Sequence, residues 1–385
     1  MRNWLLPEYV EDILPDEALH IEIMRRQIID LLFVHGYQLV IPPMLEYVES
    51  LLSGSGSDMD LRIFKVIDQL SGRMMGLRAD MTPQVARIDA HLLNCEGITR
   101  LCYANSVLHT VPFGLTQTRE PLQVGAELYG HSGLDSDLEV QRLMLQCLSI
   151  ANVCNIHLDL GHVAVFRSLI KHADISRELE TELFAILQAK DVSTLKEICL
   201  GLEKNTCEAL MLLPELYGDK KVLVEAYKHL PDYPEIRVAL DELSTIEEQL
   251  KAAVDNIAFD LADLRGYHYH TGMVFAAYAS GCSNAIALGG RYDEIGKAFG
   301  RARPATGFSM DLREISRLVN SDLYPKAIRA PFQGKSKALE LKIEQLRHAG
   351  QIVVMELPGP GQKNESLDCD RQLVLDNGEW VVKEI

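Results

Sequence analysis

Between Arg167 and Asn256 the sequence stops reading like that of a sheet. The runs RELETELFAILQAK, STLKEICLGLEK, KVLVEAYKHL and IRVALDELSTIEEQLKAAV are rich in helix formers and carry few strand signals. On both sides the pattern differs. Leu122 to Tyr129, Asn155 to Gly161, Ile257 to Leu261 and Ala305 to Met310 place apolar residues over windows of strand length. A long helical block between strand-rich flanks means that the sheet is assembled from sequence that is not contiguous. The expected fold class is α+β. A discontinuous core comprises residues 1–168 and 256–320, a helical insertion spans 169–255, and a small C-terminal α/β domain spans 325–385.

The N-terminal flank supplies the first elements. Asp16 to His35 carries Ile21, Met24, Ile28, Leu31 and Leu32 on one helical face, with Gly36 as its stop. Tyr37 to Ile41 reads as a strand, which Pro42-Pro43 ends because proline cannot donate to a ladder. LLSGSGSDMD, Leu51 to Asp60, reads as a flexible linker or loop. Ile63 to Ile67 and Met74 to Leu77 form a hairpin around Ser71-Gly72. Thr82 is placed to cap a helix that starts at Pro83 and runs to about Asn94. Another strand starts over Arg100 to Tyr103, and Asn105 to Glu120 reads as a loop. In Leu122 to Tyr129 the alternation puts Gln123 and Glu127 on one face, with Gly125 leaving room between them. Such a face is either solvated or the polar floor of a ligand site.

The stretch from Asp263 to Arg313 is the other candidate site. RGYHYHTGMVF reads as a glycine turn entering a strand, with Tyr267 and Tyr269 on one face and His268 and His270 on the other. GGRYDEIGKAFG reads as a Gly289-Gly290 turn followed by a short helical stretch over Tyr292 to Phe299. A strand over Ala305 to Met310 and a helix from Asp311 follow. Arg, Tyr, His and Gly between apolar strands suit a cleft floor. His268 and His270 could share a metal, but no third ligand is evident, so polar packing is the expectation. The tail reads as a helix over Lys335 to His348, a strand over Gln351 to Glu356, a PGPGQKNES loop, and strands over Gln372 to Asp376 and Glu379 to Glu384 around Asn377-Gly378.

Charge narrows the function. The chain has 38 basic and 55 acidic residues, a net charge of −17, and no Lys/Arg cluster. A protein that grips a nucleic-acid backbone normally presents a basic face, so no nucleic-acid partner is expected. No apolar run reaches the length of a membrane span and no leader is evident, so a cytoplasmic protein with no membrane contact is expected. The eight cysteines are scattered without a CxxC pair, as reduced thiols would be. No cofactor and no metal are expected.

The order of these segments resembles the catalytic core of class II histidyl-tRNA synthetases over about residues 8–318. The carrying motifs are GLRADMTPQVAR (Gly76 to Arg87), RLCYANSVLHTVPFGLTQTREPLQVGAELYG (Arg100 to Gly130), RGYHYHTGMVF, and GGRYDEIG through MDLRE. The resemblance implies an antiparallel sheet with flanking helices and a histidine pocket. In that pocket Asp80 and Thr82 hold the α-ammonium, Gln123 and Glu127 face the amine and imidazole, Arg265 approaches the carboxylate, and Tyr269 contacts the ring. His270 stands where the family usually has a second tyrosine.

The departures point away from catalysis. Where a synthetase has an arginine and a glutamate for ATP, this chain has His109-Thr110-Val111. A neutral imidazole does not replace a guanidinium on a phosphate. Asp311 and Glu314 stand where the third motif has glycine and arginine, with Arg313 one residue early. The tail is shorter than an anticodon-binding domain. These features are similar to those of the regulatory subunits of ATP phosphoribosyltransferase. That family implies a non-catalytic homodimer, assembled with short-form catalytic subunits into a hetero-octamer. It implies a subunit that activates a partner condensing ATP with phosphoribosyl pyrophosphate and that confers feedback inhibition by histidine, its allosteric ligand. A histidyl-tRNA synthetase, working or degenerate, and a histidine sensor with another partner remain alternatives.

Overall fold

A computed structural model describes residues 4–53, 57–112, 118–267, 269–319, 326–332, 336–357 and 368–385. The chain forms two compact units, Met1–Asn320 and Ser321–Ile385.

The first unit is organised by a sheet. Among the described residues its strands are β1 (Gln38–Leu39), β2 (Thr99–Ser106), β3 (Leu122–Tyr129), β4 (Ile156–His162), β5 (Tyr217–Gly218), β6 (Asn256–Asp260), β7 (Met273–Ala279), β8 (Ala287–Arg291) and β9 (Ala305–Asp311). Their spatial order is β1-β2-β3-β9-β8-β7-β4-β6-β5. From β2 to β4 every pairing is antiparallel. The two flanks of the helical block therefore interleave in one sheet.

The two faces of this sheet have different jobs. One register row runs Cys102, Ala126, Phe308, Gly289, Phe275, Leu160. Most of these side chains join the main apolar core with Ile21, Met24, Ile28 and Leu32 of the helix Pro15–Val34. Burying Ile28 and Leu32 completely contributes about 1.5–3 kcal/mol each. Gly36, at φ 84°, provides the left-handed residue that ends this helix. The alternate row runs Leu101, Glu127, Gly307, Gly290, Val274, Gly161. This glycine-rich, carboxylate-bearing row belongs to the opposite face.

Helices from Val163–His172 to Pro234–Leu250 fill the block between β4 and β6. They pack into the same core as the sheet, through Leu183, Leu187, Leu210 and Leu240 with Phe259 and Tyr267. The helical pattern hid Tyr217–Gly218, a two-residue strand that pairs with β6 at Phe259 and Asp260.

Three local expectations are corrected. Leu51 to Asp60 is not simply a flexible linker or loop, because Val48–Leu52 and Ser57–Arg62 are short helices and Leu51 packs with Ile63 and Ala79. Residues 54–56 and part of the Asn105 to Glu120 segment, 113–117, lie outside the described residues. Gly289-Gly290 is not a turn but lies inside β8. A Cβ on Gly290 would stand 2.7 Å from both the His270 ring and the Met273 carbonyl, so glycine serves close approach. The segment before β7 is not a strand. Gly266 has φ 64°, and Tyr267, Tyr269 and His270 donate backbone N–H groups to Leu264, Gly266 and Gly266 in successive turns. The period-two assignment of tyrosines and histidines to opposite faces fails there. His268 lies outside the described residues.

The second unit is a sheet in the order Val353–Met355, Ala327–Ala330, Cys369–Asp376, Glu379–Glu384, with the helix Lys337–His348. Ile328, Leu339, Ile343, Val353, Leu373 and Trp380 form its core. Asn377 (φ 47°) and Gly378 (φ 86°) make the tight hairpin turn that the sequence announced. Ala327–Ala330 was not anticipated, since AIRA is short and alanine-rich. The PGPGQKNES loop lies outside the described residues.

Candidate functional site

The glycine-rich face of the sheet carries Glu127, which is 1% exposed. Its Oε1 accepts hydrogen bonds from Thr82 Oγ1 and Tyr103 OH, both at 3.0 Å. Its Oε2 accepts from Tyr292 OH. Burial pushes its carboxyl up to about 8; the three hydroxyl donors oppose that shift and the field of Asp80 adds to it. Gly307 makes the arrangement possible. A Cβ there would lie 1.6 Å from Glu127 Oε2 and 2.6 Å from Tyr292 OH.

Thr82 therefore is not a capping residue. The helix Thr82–Arg87 takes Met81 as its N-cap, without a side-chain cap bond, and Pro83 lies in its first turn. Thr82 is turned toward the sheet instead. Asp80 Oδ1 takes over part of the capping role by accepting from Thr82 N at 3.2 Å. The same Oδ1 accepts from Gln123 Nε2 at 2.8 Å, and Gln123 Oε1 accepts from Met81 N at 3.0 Å. Asp80, Thr82, Gln123 and Glu127 thus form one connected network across β3 and the helix start.

Two aromatic residues close the network. The Tyr269 ring lies 4.1 Å from that of His270 and 5.8 Å from that of Tyr292. Burial and the charges of Asp80 and Glu127 push its phenol up. Burial pushes His270 down to about 4. Its Nδ1 donates to the Arg265 carbonyl at 3.0 Å, which leaves Nε2 as a buried acceptor with no partner among the described residues.

Arg265 departs from the expected grouping. Its guanidinium is bound to Asp263 at 2.5–2.9 Å and to Tyr278 OH at 2.8 Å. Its link to the Glu127 network passes through its backbone carbonyl and His270. Tyr267 is further away in role: it stacks on Phe184, at 5.4 Å, in the helical block. The sequence reading missed Tyr103, Tyr292, Asp263 and Tyr278. Tyr103 faces Gly125 across the sheet, where a Cβ would stand 2.5 Å from its hydroxyl, but that pairing is not written in either strand alone.

The two positions expected to hold triphosphate-binding cations are otherwise engaged. His109 is paired with the Ala79 carbonyl at 2.9 Å, and burial pushes its pKa down. Asp311 caps the helix Leu312–Leu318, accepting from Arg313 N at 3.0 Å and Leu122 N at 3.1 Å. Burial pushes it up to about 6. Arg313 is 2% exposed and turns to the Glu120 carbonyl at 3.1 Å and Glu11 Oε1 at 3.3 Å. Glu314 is paired with Arg317 at 3.1 Å. Among the described residues no group of metal-ligating side chains gathers, and no helix is long and apolar enough to cross a membrane.

Comparison with known proteins places this geometry. The histidyl-tRNA synthetase family model matches residues 9–315. The model for the ATP phosphoribosyltransferase subunit HisZ C-terminal domain matches residues 325–383. A protein of Nitrosospira multiformis named ATP phosphoribosyltransferase regulatory subunit is 67% identical, covering 100% of this chain and 99% of the relative. One of the same name from Ralstonia pickettii is 55% identical over 99% and 98%. The crystal structure of an ATP phosphoribosyltransferase regulatory subunit/histidyl-tRNA synthetase from Bacillus halodurans superposes with a TM-score of 0.83 at 26% identity, covering 95% of this chain and 96% of that one. Histidyl-tRNA synthetase from Nostoc shares the fold, with a TM-score of 0.77 at 18% identity over 100% and 97%. Synthetase-like core and distinctive tail are thus both matched, and the chain belongs to the family of ATP phosphoribosyltransferase regulatory subunits, built on a class II histidyl-tRNA synthetase fold.

Proposed function

We propose that the chain is a non-catalytic subunit that binds histidine and sets the activity of a short-form ATP phosphoribosyltransferase catalytic subunit in histidine biosynthesis. The observation that carries this reading is the contrast between the two ends of the cleft. Glu127, Asp80 and Gln123 form a carboxylate and amide network of the kind that holds an ammonium and an imidazole N–H. The adjoining motif has its arginine turned to Glu11 and Glu120. A pocket that retains the amino acid without a clamp for ATP suits sensing. Arg265 serves the ligand carboxylate in this reading only by leaving Asp263, so binding exchanges one carboxylate for another.

The assembly follows from the same reading. An apolar groove is lined by Ile41, Pro43, Leu45, Tyr47, Ile88 and Leu92, beside exposed Leu39, Ile67 and Met74. A second copy of this chain is its occupant, and the homodimer enters a hetero-octamer with catalytic subunits. Isothermal titration of the purified chain with histidine tests the pocket. Saturable heat that Asp80→Ala removes supports it, and heat unchanged in that variant contradicts it. Histidine-dependent exchange of pyrophosphate into ATP by the purified chain would establish a synthetase instead.

A further inference from the structure

Histidine binding, as proposed above, has to reach the surface, and one element spans the distance. The helix Thr82–Arg87 runs without a break into a π-wound turn, Ile88–Leu93, which ends at Asn94 in the left-handed region (φ 46°). π-winding is rare and recurs at functional segments. At its inner end this element holds Glu127 through Thr82 and Asp80 through the Thr82 backbone. At its outer end Ile88 and Leu92 line the apolar groove with Ile41, Leu45 and Tyr47, and Leu92 is 63% exposed.

Side chains along the element fasten it to both walls. Gln84 Nε2 donates to Glu46 Oε1 at 2.7 Å and to the Pro43 carbonyl at 2.8 Å, and Arg87 Nη2 donates to the same Glu46 oxygen at 2.5 Å. Glu46 belongs to the strand Leu45–Tyr47, which is the groove wall. On the other side Asp89, in the π turn, is buried against Arg303 at 3.0 Å. Arg303 is followed by β9, which brings Gly307 against Glu127. The element is therefore tied to the ligand site twice, at Thr82 directly and at Asp89 through Arg303 and β9. It is tied to the groove wall through Glu46.

We propose that Thr82–Leu93 is the relay between the histidine site and the groove, and that the winding of Ile88–Leu93 is what changes. A ligand that takes the place of the Thr82 hydroxyl on Glu127 releases the inner end. Rewinding the π turn as α-helix rotates the residues beyond it by about 100° per residue gained or lost. That turns Leu92 relative to the groove and alters the surface offered to a second copy.

Hydrogen exchange on the full chain, with and without saturating histidine, tests this, with calorimetry on the same samples to register binding. Expected is a change in amide protection of about fivefold or more within Ile88–Leu93 and at Leu45–Tyr47. In Arg87→Met and in the isosteric Glu46→Gln, histidine affinity stays within about twofold. In both variants the response at Ile88–Leu93 persists and that at Leu45–Tyr47 shrinks, since Gln84 still donates to the side chain at position 46. Histidine heat with unchanged protection at Ile88–Leu93 overturns the relay and leaves the histidine reading standing, as does an intact Leu45–Tyr47 response in both variants. Absence of histidine heat overturns the reading itself and the relay with it.

Discussion

Replacing Glu127 with glutamine isolates the physics of the buried carboxyl. The side chain keeps its shape, and the hydroxyls of Thr82, Tyr103 and Tyr292 can reorient around an amide. In the folded protein burial holds this carboxyl at about 8, against the ordinary glutamate value of about 4.5. Between those values the unfolded chain has released the proton and the folded chain retains it. Folding stability therefore falls as pH rises from about 4.5 to about 8, by up to about 1.4 kcal/mol per pH unit, and levels off above. His270 acts with the opposite sign in a lower window. Held down to about 4, it costs stability as pH falls below the ordinary histidine value of 6.5. That contribution is common to wild type and variant, so their difference belongs to Glu127. Urea denaturation of both proteins at pH 5, 6, 7 and 8 gives the comparison. The variant should lack the downward slope, becoming the more stable of the two at pH 8. Parallel pH profiles would refute the assignment of a neutral buried carboxyl.

Other substitutions probe the same geometry. Glu127→Gln should weaken histidine binding roughly 10- to 100-fold, since a hydrogen bond to a charged group contributes about 1.5–3 kcal/mol; titration calorimetry measures this. Gly307→Ala drives a Cβ toward Glu127 Oε2 and to 2.7 Å from the Ala126 carbonyl, and should cost about 1–3 kcal/mol in a denaturation curve and abolish histidine binding. Arg303→Ala leaves Asp89 buried without its cation and should cost about 3–5 kcal/mol, read as a lower urea midpoint.

What the sequence made legible is what local chemistry determines. The period-two alternation in Leu122–Tyr129 correctly set Gln123 and Glu127 on one face, and the hairpin Phe64–Ile67 with Met74–Leu77 formed where turn residues indicated. The helix face Ile21, Met24, Ile28, Leu32 is buried as its spacing required. The failures come from contacts that no single segment encodes. Tyr-His-Tyr-His reads as a strand by alternation, yet Gly266 turns the chain and sends Tyr267 into the helical core while Tyr269 goes to the pocket. Gly289-Gly290 has the composition of a turn, but its function is to admit Phe275 on one face and His270 on the other. Thr82 before Pro83 looks like a cap because the competing acceptor, Glu127, is 45 residues away. Arg265 looks free for a carboxylate until Asp263, two positions earlier, is seen to occupy it.

Titrating histidine into a mixture of this chain and a short-form ATP phosphoribosyltransferase is the most direct test of the regulatory reading. Phosphoribosyl transfer should rise when the chain is added and fall as histidine is added. With Asp80→Ala the rise should remain and the fall should vanish. A mixture whose activity ignores the chain, or whose activation ignores histidine, would contradict it.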